Sequence, residues 1–393
     1  MAVSRSVQST VSASPNPAGL SWAAARLRLG QVNVGFWVVV AGAVIALQPT
    51  LPSVGGGLAW VGLVCAFVVI QAPFDWVGGY LLPVRHGRRS TGFEVWAREW
   101  LRGVGVHALA YVLAGWVALA VAGAAGGGAA AVALLLLAFG LVGGQRLMAL
   151  WMTGAVPEAF PEASMAALKR AGLDASQVEV VDVKDAGFVG GWVGLPGRES
   201  LLVPRRWTET LTAPNLEIVL LRRRMGLESG ARGQGVVGAL AFNAVGLLLA
   251  LSWVPGSGLD TAGGLWMTSA GVTLWSFLGL LTLPTLSRRA VHVLDRITQA
   301  HRSPEGMARV IRTLDRDQED ERSRARLVET IFHPVPAPEH RVTALLEEEA
   351  SAFAPWRVTR MSLFTSWMTL SWLSRAVHCN GGRPQLWVLF PGD

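Results

Sequence analysis

Six stretches of this sequence stay apolar over nearly the ~20 residues that a helix needs to cross the hydrocarbon of a bilayer. They are about 32–47, 58–72, 104–122, 129–144, 236–254 and 265–283. Between them the pattern changes. Residues 178–183 alternate as a strand does, 188–192 and 201–203 read as further strands between Gly and Pro turns, and 162–171 reads as a helix closed by Gly172. Residues 216–227 then run apolar into three consecutive arginines, Arg222, Arg223 and Arg224. Asn215 is the expected cap of that helix, with Glu217 in its first turn.

Downstream of the sixth stretch, 286–298 reads as a helix, and Ser303 caps another with Pro304 at its first position. Residues 319–330 read as a charged, solvated helix, and a further helix runs through 345–350. A Trp-rich amphipathic helix at 356–376 is too short and too rich in Ser and Thr for a seventh span, so it is expected against the domain or the membrane surface. Residues 92–102 are expected to form an interfacial helix with Trp96 and Trp100 at the headgroups. The first 30 residues are rich in Ser, Ala and Pro and are expected to be poorly ordered. The apolar stretch after them is too long for a signal-peptide core and lacks a cleavage site, so it reads as an uncleaved span.

Composition agrees with membrane residence. The chain is 51% hydrophobic and 16% charged, with a mean hydropathy of +0.40, too apolar for an ordinary soluble domain. Its net charge of +7 is carried almost wholly by arginine, since only Lys169 and Lys184 are lysines. These arginines flank apolar spans, so they set orientation and imply no nucleic-acid partner. The odd-to-even connections 48–57, 123–128 and 255–264 carry no Lys or Arg, while Arg85, Arg88, Arg89, Arg98 and Arg102 lie between spans two and three. Both termini and all polar regions are therefore expected in the cytoplasm, in a plasma membrane of the bacterial inner-membrane type. Trp60, Trp253 and Trp266 fall at the outer ends of spans. No Asp, Glu, Lys or Arg sits in mid-span, which disfavours a pore or transporter, and Asn243 and His107 are expected to be helix-packing hydrogen-bond partners. Cys65 and Cys379 offer neither a disulfide framework nor a metal site.

Four features together resemble the integral-membrane zinc metallopeptidases that include the CAAX prenyl protease and the HtpX-type protease. Strand-like Leu201-Leu-Val203 precedes the arginine helix, and two spans follow it directly. Ser287-Arg-Arg-Ala-Val-His-Val-Leu-Asp-Arg296 is similar to the family's S-R-x-x-E-x-x-A-D segment. His333, Pro334, Arg341 and Leu345 resemble its H-P…R…L segment. The clear match covers about residues 178 to 346, with a fainter likeness over 78–102. It implies a mostly α membrane protein of about six transmembrane helices with a cytoplasmic α+β, zincin-type domain. The layout is then a disordered 1–30, four spans with a basic cytoplasmic loop over 31–150, a cytoplasmic sheet and former zinc helix over 151–235, two spans over 236–285, and a helical cytoplasmic part over 286–393.

In the family, an HExxH helix supplies two histidine ligands on one face and a glutamate base, and a second helix adds a third ligand. Carried over by position, the histidines fall on Arg223 and Leu227, the base on Arg224 and the third ligand on Val291. None of these side chains ligates zinc, because guanidinium has no lone pair to donate and the others are hydrocarbon. Asp295, beside the third ligand, is retained. The expectation is therefore a pseudo-peptidase with no catalytic residue and no cofactor, in which Asp295 pairs with Arg223 or Arg224 in place of metal, unless these arginines reach lipid phosphates. His292, His301, His333 and His340 do not build a convincing substitute site, and no Gly-x-Ser-x-Gly elbow occurs. Its partners would be the lipid bilayer and a peptide, a membrane protein or lipid headgroups. The alternative is an active membrane zinc endopeptidase with atypical ligands, for which zinc would be the cofactor.

Overall fold

The computed structural model describes residues 20–49, 56–318, 320–346, 353–375 and 380–389. The protein is mostly helical with one small sheet. Its first half comprises α1 (Trp22–Leu47), α2 (Gly56–Trp76), α3 (Leu82–Arg85), α4 (Phe93–Gly143) and α5 (Gln145–Thr153). A mixed region follows, with β1 (Pro157–Ala159), α6 (Met165–Arg170), β2 (Val178–Val181), β3 (Gly191–Val193), β4 (Ser200–Pro204), α7 (Arg205–Thr210) and α8 (Ala213–Glu228). The chain then returns through α9 (Ala231–Trp253) and α10 (Ala262–Gln299), and ends in α11 (Pro304–Gln318), α12 (Arg326–Phe332), α13 (Pro338–Ala344) and α14 (Val358–Thr365).

Among the described residues, five helices are long and apolar enough to cross a membrane: α1, α2 with its continuation to Arg85, α4, α9 and α10. At 1.5 Å per residue, the 51 residues of α4 would extend well beyond the ~30 Å hydrocarbon core. It does not run straight. Gly126 breaks it at φ 85° and ψ 166°, a conformation that glycine adopts without the steric cost of a Cβ, and the break separates the expected third and fourth spans.

Several expected boundaries move. The helix α1 starts at Trp22, inside the stretch expected to be poorly ordered, and the Trp22 indole N–H anchors its start to the Gln318 carbonyl at 3.2 Å. Residues 93–102 are the opening turns of α4, and Trp96 is buried there instead of facing headgroups. The helix expected at 286–298 is the continuous end of α10, which passes through Pro284. Of the charged stretch only 326–330 is helical, within α12; Glu319 and residues 347–350 lie outside the described residues, as does Cys379.

The four-stranded sheet runs β1-β2-β4-β3, with β2 and β4 parallel at its centre and the outer strands antiparallel to them. Strand β1 is not legible as a strand in the sequence. The central strands are buried, as parallel strands usually are, and Val180, Leu201 and Val203 share a core with Trp207, Leu216 and Leu220. That core fixes α8 against the sheet. Its first residue is Ala213, earlier than expected, because Pro214 fits a first helical turn and Thr212, not Asn215, precedes the helix.

The largest departure is at the C-terminus. Helix α14 is short and is followed by turns and short 3-10 segments at Trp372–Ser374 and Pro384–Leu386. It packs against α9, α10 and α4, and residues 358–375 and 380–389 are all buried. The Trp-rich stretch therefore lies inside the helix bundle rather than on a surface.

Candidate functional site

Helix α8 leaves the sheet with residues 215–223 all buried, so it has no solvent face through that stretch. Its three arginines point in three directions, because successive residues step about 100° around a helix. Arg222 reaches α10, where its Nε donates to Asp295 Oδ1 at 2.6 Å. Arg223 turns towards the sheet, where Nη2 donates to the Val189 carbonyl at 3.3 Å and the guanidinium lies 5.8 Å from the Trp207 ring and 5.7 Å from the Trp356 ring. Arg224 is half-exposed and donates to Glu228 at 2.7 Å and to the Ala171 carbonyl at 3.3 Å.

Asp295 receives a second cation from α13. Arg341 Nε donates to Oδ2 at 2.7 Å and Nη2 to Oδ1 at 2.8 Å, a two-pronged pair. All three side chains are buried. Burial pushes the Asp295 carboxyl up, but Arg341 and Arg222 more than offset it and hold it below the usual carboxylate range. The expected ion pair thus forms with Arg222, one residue before the two arginines expected to make it. The reason is rotational, since only Arg222 projects from the α8 face that packs on α10.

Leu227 packs at the margin of the core shared by the sheet and α8, and Val291 is buried beside a narrow crevice lined by Ser287, Pro334 and Val335. His333 is buried, and its carbonyl accepts from Arg288 Nη1 at 3.0 Å. His340 is half-buried and lies 2.9 Å from Glu329. His292 on α10 is pushed below its ordinary pKa, mainly by burial. Among the described residues, no three His, Cys, Asp or Glu side chains come together in a way that could hold a metal ion. The donor set at the carried-over positions, guanidinium and hydrocarbon, does not fit zinc.

His107 and Asn243, expected to be helix-packing hydrogen-bond partners, both bind the buried C-terminal stretch, and Asn243 does so by joining α9 to α14. His107 Nε2 lies 3.0 Å from Ser374 Oγ, and Asn243 Nδ2 donates to the Ser362 carbonyl at 2.8 Å. Sequence reading missed Asp75, fully buried at the end of α2, which accepts from Trp100 and Gln71 and lies 3.4 Å from the Arg375 guanidinium. Nothing in its spacing marks it. It ends an apolar run, the ordinary place for a solvated charge.

No family model matches the sequence, and no curated protein matches it. Among solved structures, the fold is similar to that of Ste24p from S. mikatae. The TM-score is 0.62 over 82% of this chain and 83% of that one, at 12% identity, so the likeness is one of fold. With five helices long and apolar enough to cross a membrane among its described residues, the protein is an integral membrane protein of that fold.

Proposed function

We propose that this is a membrane-embedded pseudo-peptidase: a metallopeptidase scaffold that does not hydrolyse peptide bonds and acts by binding a polypeptide. The observation that carries the reading is the buried Arg222–Asp295–Arg341 cluster between α8, α10 and α13. In the family that the sequence resembles, zinc ties the helix corresponding to α8 to the one corresponding to α10. Here two guanidinium groups on one carboxylate make that connection, and Arg223, Arg224, Leu227 and Val291 stand at the vacated positions. Metal binding supplies folding free energy in sites of that kind, so its loss calls for another tie, and a hydrogen-bonded ion pair is one. Six spans would place both termini, the sheet and the C-terminal helices on the arginine-rich, cytoplasmic side of a bacterial plasma membrane.

The test is elemental analysis of the purified chain together with a proteolysis assay on casein. The expected result is zinc far below one ion per chain and no cleavage that phenanthroline abolishes. Stoichiometric zinc with chelator-sensitive cleavage would overturn the proposal in favour of an active endopeptidase with atypical ligands.

A further inference from the structure

Trp22 at the start of α1, Gly79 just past α2, Glu99 in α4 and Asp185 beyond β2 all line one cavity. Its volume of about 330 Å³ falls within the ~300–1,000 Å³ of small-ligand clefts. The wall is built from charges. Arg88, Arg89, Lys184 and Arg383 bring four cations to it. Three of these are held by acids. Arg88 Nη2 lies 2.8 Å from Asp320 Oδ2, Arg89 Nη2 2.7 Å from Glu99 Oε2, and Arg383 Nε 2.8 Å from Asp185 Oδ2. The Trp22 ring adds a face for the Arg88 and Arg383 guanidinium groups, each 5.9 Å from it.

One group of each sign is left over. Among the described residues, the Lys184 ammonium makes no ion pair or hydrogen bond, and no donor reaches the Asp317 carboxylate. Burial pushes the Asp317 carboxyl up, against the pull of Arg206, Arg88 and Arg316, so its negative charge is poorly supplied by the fold. Arg89 Nε and Thr91 Oγ1 are also buried without a hydrogen-bond partner among the described residues. Buried polar atoms are ordinarily bonded, so these two donors stand ready for an acceptor. A ligand that matches the wall carries one ammonium and one anion. An ammonium, one guanidinium N–H and a hydroxyl converge on a tetrahedral phosphate more readily than on a planar carboxylate, which is best met by the fork of a single guanidinium. Leu81, Val84 and Phe93 flank the 85–92 connection and are exposed, as side chains in the boundary layer of a bilayer are. Lipid headgroups lie at that level.

We propose that this cavity binds a phosphoethanolamine group, with its ammonium on Asp317 and its phosphate against Lys184, Arg89 and Thr91. The group arrives either as the headgroup of phosphatidylethanolamine or as a free molecule. The site shares no residue with the Arg222–Asp295–Arg341 cluster and stands whether or not the chain binds a polypeptide.

The experiment uses the full chain, delipidated in detergent, and intact-complex mass spectrometry. The probes are dihexanoyl phosphatidylethanolamine, its phosphatidylcholine and phosphatidylglycerol counterparts, and free O-phosphoethanolamine. The ethanolamine lipid is expected to bind about tenfold more tightly than the other two lipids, because choline has no N–H to donate and glycerol has no cation. Asp317→Asn should level the three lipids, Asp317→Glu should retain the preference, and Lys184→Ala should weaken the ethanolamine lipid about tenfold. Neither side chain holds a bond within the fold, so these variants should keep the parent Tm. Lys169→Ala, which removes an exposed lysine of α6 outside the cavity, should change nothing. Free phosphoethanolamine binding as tightly as the lipid assigns the site to a soluble ligand, and binding of the lipid alone assigns it to the headgroup. Equal binding of the three lipids by the natural chain, or an ethanolamine preference that survives Asp317→Asn, marks a nonspecific lipid shell and overturns the proposal. Failure of both ethanolamine probes to bind overturns it as well.

Discussion

Arg341 grips Asp295 with two nitrogens at 2.7 and 2.8 Å, a pair buried where α10 and α13 meet. The geometry matters because a planar guanidinium matches a carboxylate edge, and an ammonium does not. Asp295 also accepts from Arg222, so one carboxylate faces two buried cations at once.

Replacing Asp295 by alanine should therefore be far more damaging than losing a surface pair. Removing one partner of a buried ion pair typically costs roughly 3–5 kcal/mol. Arg146 and Glu179 form a comparable two-pronged contact that is partly exposed, and Arg146→Met should cost less than about 1 kcal/mol. Thermal unfolding in detergent should show a large drop in Tm for Asp295→Ala and a small one for Arg146→Met. Equal shifts would remove Asp295 from its central place.

Acid should weaken the protein in two stages. His292 has a folded pKa pushed below its ordinary ~6.5 chiefly by burial, so the unfolded chain takes up its proton first and stability declines as pH falls below that value. Asp185 is also pushed up by burial, but Arg383 and the Gly187 N–H bring it down to about 2. Its folded pKa lies below the unfolded value of ~3.9, so its contribution is present above that value and is lost as pH falls between them. Asp295 has a depression of the same sign. Tm against pH should show a shallow decline beginning near ~6.5 and a steeper one below about 4. In Asp185→Asn the steep limb should flatten; an unaltered limb would separate the Arg383 contact from acid stability.

The apolar runs are legible because a span needs a length of hydrocarbon that composition reveals directly, and the Gly126 break falls in the Arg-free connection expected there. The site is legible only in part. Asp295 stands out by its place in the SRxxExxAD-like segment, but a resemblance in sequence gives position, not rotation. One step of about 100° makes Arg222, rather than Arg223, the residue that meets it. The C-terminal stretch reads as a surface element because Ser362, Thr365, Ser366, Thr369 and Ser371 look wrong for an interior. They are buried because span residues such as Asn243 and Thr273 bind the stretch, and periodicity carries no record of such pairing.

Orientation is open to direct labelling. In a background with Cys65 and Cys379 replaced by serine, single cysteines at Gly56 and Gly127 lie in the arginine-free connections or at their edges, where an added side chain meets little. Both should react with a membrane-impermeant maleimide from outside intact cells. A cysteine at the exposed Glu209, just after the sheet, should react only after lysis. Labelling of Glu209→Cys in intact cells would invert the topology.

Arg223, Arg224, Leu227 and Val291 stand where the resemblance places the zinc ligands and the base. Arg223 and Leu227 are four apart on α8, so histidines there would share a face and point both imidazoles at one locus, as zinc requires. Val291 is buried on α10, and a glutamate there would supply the third donor, while Arg224→Glu would supply the base. The change also removes the Arg223 guanidinium from between Trp207 and Trp356, which trades one cation for a neutral ring of smaller volume. If the positional correspondence is right, the variant Arg223→His, Arg224→Glu, Leu227→His, Val291→Glu should bind roughly one zinc per chain, where the natural sequence binds far less. Elemental analysis after gel filtration reads the content directly, and added zinc should raise the Tm of the variant alone, since a ligand that binds only the folded state stabilises it. Retention of Asp295 is part of the expectation, because an acid beside a metal site orients its ligands. A folded variant that binds no zinc would show that the resemblance has the wrong register.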